Sequence, residues 1–189
     1  LCQPTSNCGI GHGFRVFELA EINNASGCDD NGYGDFSNLI ANLAPGSTND
    51  LTVTSDYGSQ RISIWIDFND DLSFTSDEIV LDNYEFAAGQ GSGVVTETFD
   101  LVIPASAAIG EHRMRARSTG VGNINNDDAC EEILFGETED YSVNIGVLGI
   151  NDVNISNSEL NILTLPNNQF EVSLISEYDG GVYLGIYNI

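Results

Sequence analysis

The sequence predicts an all-β protein, an antiparallel β-sandwich of jelly-roll-like build, on three observations. Short runs rich in β-branched and aromatic residues recur as far as residue 146, clusters of Gly, Asn, Asp and Ser separate them, and helix signals are nearly absent. Seven runs have this character: 14–19, 51–54, 62–68, 78–81, 94–103, 111–117 and 140–145. Seven strands at such spacing suit a sandwich. In the third run, alternation places Ile62, Ile64, Ile66 and Phe68 on one face, expected to be core, and Arg61, Ser63, Trp65 and Asp67 on the other, expected to face outward. The stretch Pro104 to Gly110 reads either as one helical turn or as a connecting loop.

Near residue 147 the pattern stops. Residues 1–147 are expected to form the sandwich, and residues 148–189 a linker and part of a second β-rich domain. That tail carries two strand-like runs, 169–173 and 181–187, too few to bury a core alone.

Composition narrows the function. The 189 residues carry 29 Asp and Glu against five Arg and no Lys, a formal net charge of -24. Such a surface repels nucleic-acid phosphates and anionic membranes, which argues against a nucleic-acid partner and against membrane insertion. A neutral or cationic ligand, or cations themselves, fit better. Hydrophobic residues at 41%, with nine Phe and seven Tyr, set the chain apart from acidic disordered proteins. No signal peptide and no membrane-length apolar run are recognised, so the chain reads as a soluble mature fragment. The four cysteines lack zinc-ligand spacing. Of the three possible disulfide pairings, Cys8 with Cys28 closes a local loop and Cys2 with Cys130 ties the domain's start to its end. These pairings are the ones expected, and they place the chain in an oxidising compartment or outside the cell.

The segment Asp67 to Glu78 carries the strongest chemical signal. Counting Asp67 as position 1, oxygen donors fall at 1, 3, 5, 7 and 12: Asp67, Asn69, Asp71, Ser73 and Glu78, with Thr75 at 9. This is the spacing of a twelve-residue calcium loop, in which hard oxygens from one short segment surround a Ca2+ ion. Leu72 stands where such loops usually have Gly, and no helices flank the segment. Asp77 or an acid from elsewhere could replace Glu78. The competing reading is an acidic turn between strands, since Asn and Asp favour turns.

A second acidic cluster, Asp127 to Glu132 and Glu137 to Asp140, faces in composition the run Arg113, Arg115, Arg117. A cross-strand ladder of Arg and Glu accounts for both. Alternatively, Glu137, Glu139 and Asp140 serve a cation or a ligand's hydroxyls. Trp65 and Tyr33, with Phe36, Tyr84 and Phe86, are candidate platforms for sugar rings, or else packing residues. No catalytic constellation is recognised: His12 and His112 belong to no metal motif, and a carboxylate pair among so many acids carries little information.

Four ordered motifs resemble the GEVED domain, a β-rich module of secreted bacterial proteins often attached to hydrolases or adhesin-like chains. They are Asn31 to Phe36, Ile64 to Asp71, Arg113 to Arg115 and Phe135 to Tyr141, the last reading Gly-Glu-Thr-Glu-Asp with Thr138 for the usual Val. The tail around 165–172 and 182–189 looks like the start of a type IX secretion sorting domain of Bacteroidetes. Together the resemblances imply an accessory module of a secreted or surface protein exported across the outer membrane, with a catalytic domain elsewhere in the parent. The expectation is a noncatalytic, calcium-stabilised module that binds a polysaccharide, neutral in preference to strongly anionic. The alternative is a structural or adhesive spacer without glycan affinity.

Overall fold

A computed structural model of the chain describes residues 1–146 and the strand segments Ser158–Leu165, Gln169–Ser176 and Tyr183–Asn188. The chain divides into two units, Leu1–Leu148 and Gly149–Ile189. The boundary expected at residue 147 lies outside the described residues, as do 166–168, 177–182 and 189, on which part of the sorting-domain resemblance rests.

The first unit has nine strands: β1 (Val16–Leu19), β2 (Ile22–Asn24), β3 (Tyr33–Leu43), β4 (Thr48–Tyr57), β5 (Gln60–Ile66), β6 (Ile79–Phe86), β7 (Ser92–Val102), β8 (Gly110–Thr119) and β9 (Gly136–Ile145). They form two sheets, in orders β2-β1-β4-β7 and β3-β9-β8-β5-β6. All seven expected strands are present. Strands β2 and β3 were not expected from the sequence, and 104–109 is a connecting loop. In the second unit β10 (Ser158–Leu165), β11 (Gln169–Ser176) and β12 (Tyr183–Asn188) form one antiparallel sheet.

Period-two alternation builds the main core. Ile62, Ile64 and Ile66 of β5, Met114 and Ala116 of β8, and Tyr141, Val143 and Ile145 of β9 join Phe17, Leu19, Leu51, Val53 and Leu101 of the other sheet, all almost fully buried. Phe68, just past β5, packs against this core half-buried. One pairing departs from the antiparallel expectation: β3 and β9 run parallel. β9 returns beside β8 as its antiparallel neighbour, and its other edge meets β3 already running the same way.

The second face of the larger sheet corrects the sequence reading. Trp65, expected to point outward, is 0% exposed. The segment between β8 and β9 folds over it: its indole N–H donates to the Asn126 carbonyl at 3.0 Å, and Phe74, Ile124 and Ala129 close a small second core around it. Residues 1–8 extend this roof. Thr5 and Asn7 accept backbone hydrogen bonds from Ile133 and Gly136, and both expected disulfides, Cys2–Cys130 and Cys8–Cys28, are formed.

Beneath the roof lies Arg115, fully buried. Its Nε and Nη2 grip both oxygens of Asp140 at 2.7 Å each. Nη2 also donates to the Cys2 carbonyl at 2.8 Å, and Nη1 to the Ala129 carbonyl at 2.9 Å and to Cys2 Sγ at 2.8 Å. The guanidinium lies 4.8 Å from the Phe74 ring and 5.9 Å from that of Tyr33. The expected Arg and Glu ladder is therefore narrower than the composition suggests. Arg113 reaches Asp35 at 3.5 Å, while Arg117 donates to Thr138 and to the Glu131 carbonyl. Glu137 and Glu139 fall on the opposite face of β9 from the arginines, because alternate residues of a strand do.

Replacing one member of a buried, fully bonded pair leaves the other's charge uncompensated. Asp140→Asn should cost about 3–5 kcal/mol in urea unfolding. Asp56→Asn, which breaks the exposed Arg15–Asp56 pair, should cost about 1 kcal/mol or less.

Candidate metal centre

β9 carries the Gly-Glu-Thr-Glu-Asp run, and its alternation sends these side chains to two different places. Thr138 and Asp140 face the roofed side, where they bind Arg117 and Arg115. Glu137 and Glu139 share the inner face with Tyr141. There the ring of Tyr141 stacks on Phe17 at 4.8 Å, while the two carboxylates meet the segments Cys8 to Phe14 and Ser26 to Asp29. Glu137 accepts from the backbone N–H of Phe14 at 2.7 Å and of Asp29 at 2.9 Å. Glu139 accepts from the hydroxyls of Ser26 and Tyr141, both at 2.6 Å.

These contacts draw a third carboxylate in. One oxygen from each of Asp29, Glu137 and Glu139 lies within 4.8 Å of the others. Glu137 and Glu139 are 0% exposed, and Asp29 Oδ2 is buried without a hydrogen-bond partner. Among the described residues no arginine bridges to any of the three. Burial pushes Glu137 up to about 7 and Glu139 up to about 8, the latter helped by the neighbouring Glu137 charge. Burial and Asp30 raise Asp29. This group of acidic residues could hold a metal ion. Its donors are all oxygen, which suits a hard divalent cation, and the nearest sulfur, on Cys8, is tied in a disulfide. Asp29 escaped the sequence reading because it lies 108 positions from Glu137 and no local spacing links them.

The loop after β5 has a different character. Asp67 is buried and accepts from the N–H groups of Asp71 at 3.1 Å and Leu72 at 2.9 Å; Asn69 accepts from Asp71 and Asp71 from Ser73. Leu72 adopts φ 65°, the left-handed turn for which a Gly is usual at this position, with its side chain 59% exposed. Glu78 caps the single helical turn Ser76–Glu78: its Oε2 accepts from Thr75 N–H at 2.9 Å, while its Oε1 is buried without a partner. Asp67, Asp71 and Glu78 do not converge within one ligand-sized group as the inner-face acids do. Asp77 and Thr75 are exposed. Asp70, between the expected ligands, instead binds the buried His112 at 3.0 Å.

The residues expected to touch a glycan are turned inward. Trp65, Glu137, Glu139 and Asp140 are all 0% exposed. Tyr33 is half-buried with its hydroxyl on Asp140 at 2.8 Å, and burial raises its phenol well above the ordinary range. Tyr84 stacks on Phe99 at 4.2 Å and donates to Glu97, Phe36 stacks on Tyr141, and Phe86 lies in the core. Within residues 1–146 every Phe, Tyr and Trp is buried or partly buried. Packing against the two cores accounts for Trp65, Phe36, Tyr84 and Phe86 without a stacking platform.

The family model described as the GEVED domain matches residues 61–144, from the second residue of β5 to the penultimate residue of β9. The match takes in Glu137 and Glu139 but not Asp29. No curated protein matches the chain.

Carboxylates raised in the folded state favour folding most when protonated. In chelator, their contribution is full below the ordinary carboxylate pKa near 4.5 and is lost as pH rises through about 7 and 8. Melting temperature should therefore fall between pH 5 and 8.5, and Glu139→Gln should flatten the fall. In the loop, Leu72→Gly should stabilise the fold by about 0.5–1 kcal/mol in urea titration, since it relieves a left-handed non-glycine residue whose side chain is mostly exposed.

Proposed function

We propose, on the premise that residues 61–144 are a GEVED-type module, that this chain carries a noncatalytic accessory domain of a larger secreted or surface protein. Its role is that of a calcium-stabilised spacer. One observation carries the reading: the polar signature of β9 is buried and bonded within the domain, which favours a role in holding the module together over contact with an external glycan. Calcium is the hard cation matched to an all-oxygen donor set, and Asp29, Glu137 and Glu139 are the residues that would hold it. The loop of Asp67, Asn69, Asp71, Ser73 and Glu78 is a second place for the ion, favoured by the left-handed turn at Leu72 and the unpartnered oxygen of Glu78.

Two disulfides suit an oxidising exterior, and no helix among the described residues is long and apolar enough to cross a membrane. The resemblance of the tail to a sorting domain supports export by the type IX route as part of this proposal. A polysaccharide partner is the competing proposal. It would have to use surfaces other than the expected aromatics, such as the depression where Glu18, Asn23, Asn49 and Asp50 meet the apolar Leu19 and Ile22.

The test is melting of the purified chain in calcium and in chelator, beside retention on a panel of neutral and anionic polysaccharides. At a hundredfold excess over Kd, calcium should stabilise by about 2.7 kcal/mol, a rise of about 5–10 °C. Glu139→Gln should abolish the rise and Asp71→Ala should leave it; the reverse pattern would move the ion to the loop. No glycan should be retained. Retention in calcium would replace the spacer reading with the polysaccharide one.

A further inference from the structure

We infer that the Cys2–Cys130 disulfide is a thiol-exchange site, attacked at Cys130 and opened by departure of Cys2 onto the Arg115 guanidinium. Two features decide how fast a disulfide exchanges: access to the attacked sulfur and the stability of the thiolate that leaves. Cys130 is exposed at the end of the helical turn Asp128–Cys130, and Cys2 is half-buried behind it. The leaving sulfur is already in contact with a cationic donor, since Arg115 Nη1 lies 2.8 Å from Cys2 Sγ and 3.8 Å from Cys130 Sγ. Asp140 does not compete for that donor, because it takes Nε and Nη2. A guanidinium beside a sulfur favours its thiolate form.

The second disulfide provides a comparison within the same chain. Cys28 is exposed and Cys8 is 3% exposed, so access follows the same pattern. The polar surroundings are reversed. Cys8 Sγ lies 3.6 Å from a Glu137 carboxylate oxygen and 3.8 Å from the Asp29 carbonyl oxygen; among the described residues no cation bonds to it, and Arg15, which lines the same small depression, is held by Asp56. A thiolate leaving there would face two electron-rich oxygens.

The exchange step balances without an oxidant. An external low-molecular-weight thiolate forms a bond to Cys130 Sγ, the Cys2–Cys130 S–S bond breaks, and the electron pair leaves on Cys2 Sγ beside Nη1. A second thiol can then release Cys130 as a thiol and carry away the oxidised pair. The first step alone detaches residues 1–7 from residue 130 and loosens the roof over the Arg115–Asp140 pair. The bond is thus a redox-sensitive latch on the module.

The oxidised full chain is exposed to limiting glutathione in chelator near pH 8, quenched with acid, alkylated with iodoacetamide and mapped by peptide mass. Cys2–Cys130 should open at least about tenfold faster than Cys8–Cys28. The early product should carry glutathione on Cys130 and the alkyl group on Cys2. Equal rates, earlier opening of Cys8–Cys28, or glutathione on Cys2 would overturn the inference.

Discussion

A guanidinium cannot be left dry without partners, and satisfying the one on Arg115 organises the module. Its contacts come from three separated parts of the chain: Asp140 on β9, Ala129 in the segment before it, and Cys2 at the start. Desolvating such a group costs several kcal/mol unless the geometry is close to ideal and the remaining N–H groups are bonded. Here the bidentate grip and the carbonyl partners supply that geometry. They can do so only when residues 1–8 and 120–135 are folded over the sheet. The burial of Trp65, the pairing of Cys2 with Cys130 and the placement of Tyr33 on Asp140 are consequences of that closure.

β9 separates charge across its two faces. The arginines of β8 lie on the roofed side with Thr138 and Asp140, while Glu137, Glu139 and Asp29 gather on the other without a basic partner among the described residues. Two buried carboxylates side by side require either a shared proton or a cation. Glu137 also accepts hydrogen bonds from the backbone of Phe14 and Asp29, and Glu139 one from Ser26, so an ion there would tighten the attachment of the N-terminal third to the last strand of the sheet.

The sheet architecture was legible because alternation and turn residues are local signals: Ile62, Ile64 and Ile66 read as core from their spacing alone. Strand β3 was missed since its run, Tyr-Gly-Asp-Phe-Ser-Asn-Leu-Ile-Ala-Asn-Leu, mixes glycine, polar and apolar residues, and its register with β9 shifts between Asp35 and Ile40. The outward assignment of Trp65 failed for a different reason. Alternation correctly put it on the face away from the main core, but it cannot report that another segment will cover that face. Asp29 was invisible as a partner of Glu137 and Glu139 because only tertiary register brings them together. The two disulfides were readable, as few pairings exist for four cysteines.

The position of β9 also governs how the module can be made. The last strand of the first unit is inserted between β3 and β8, and its pairing with β3 joins residues about a hundred positions apart. Until it arrives, β3 and β8 both present unpaired edges and the inner acids have no counterpart. Contacts of such sequence separation make folding slow, and little is gained before the loop closes. A chain made from its N-terminus therefore cannot complete the larger sheet until residue 145 is free, and the closing of both edges waits on that one late step.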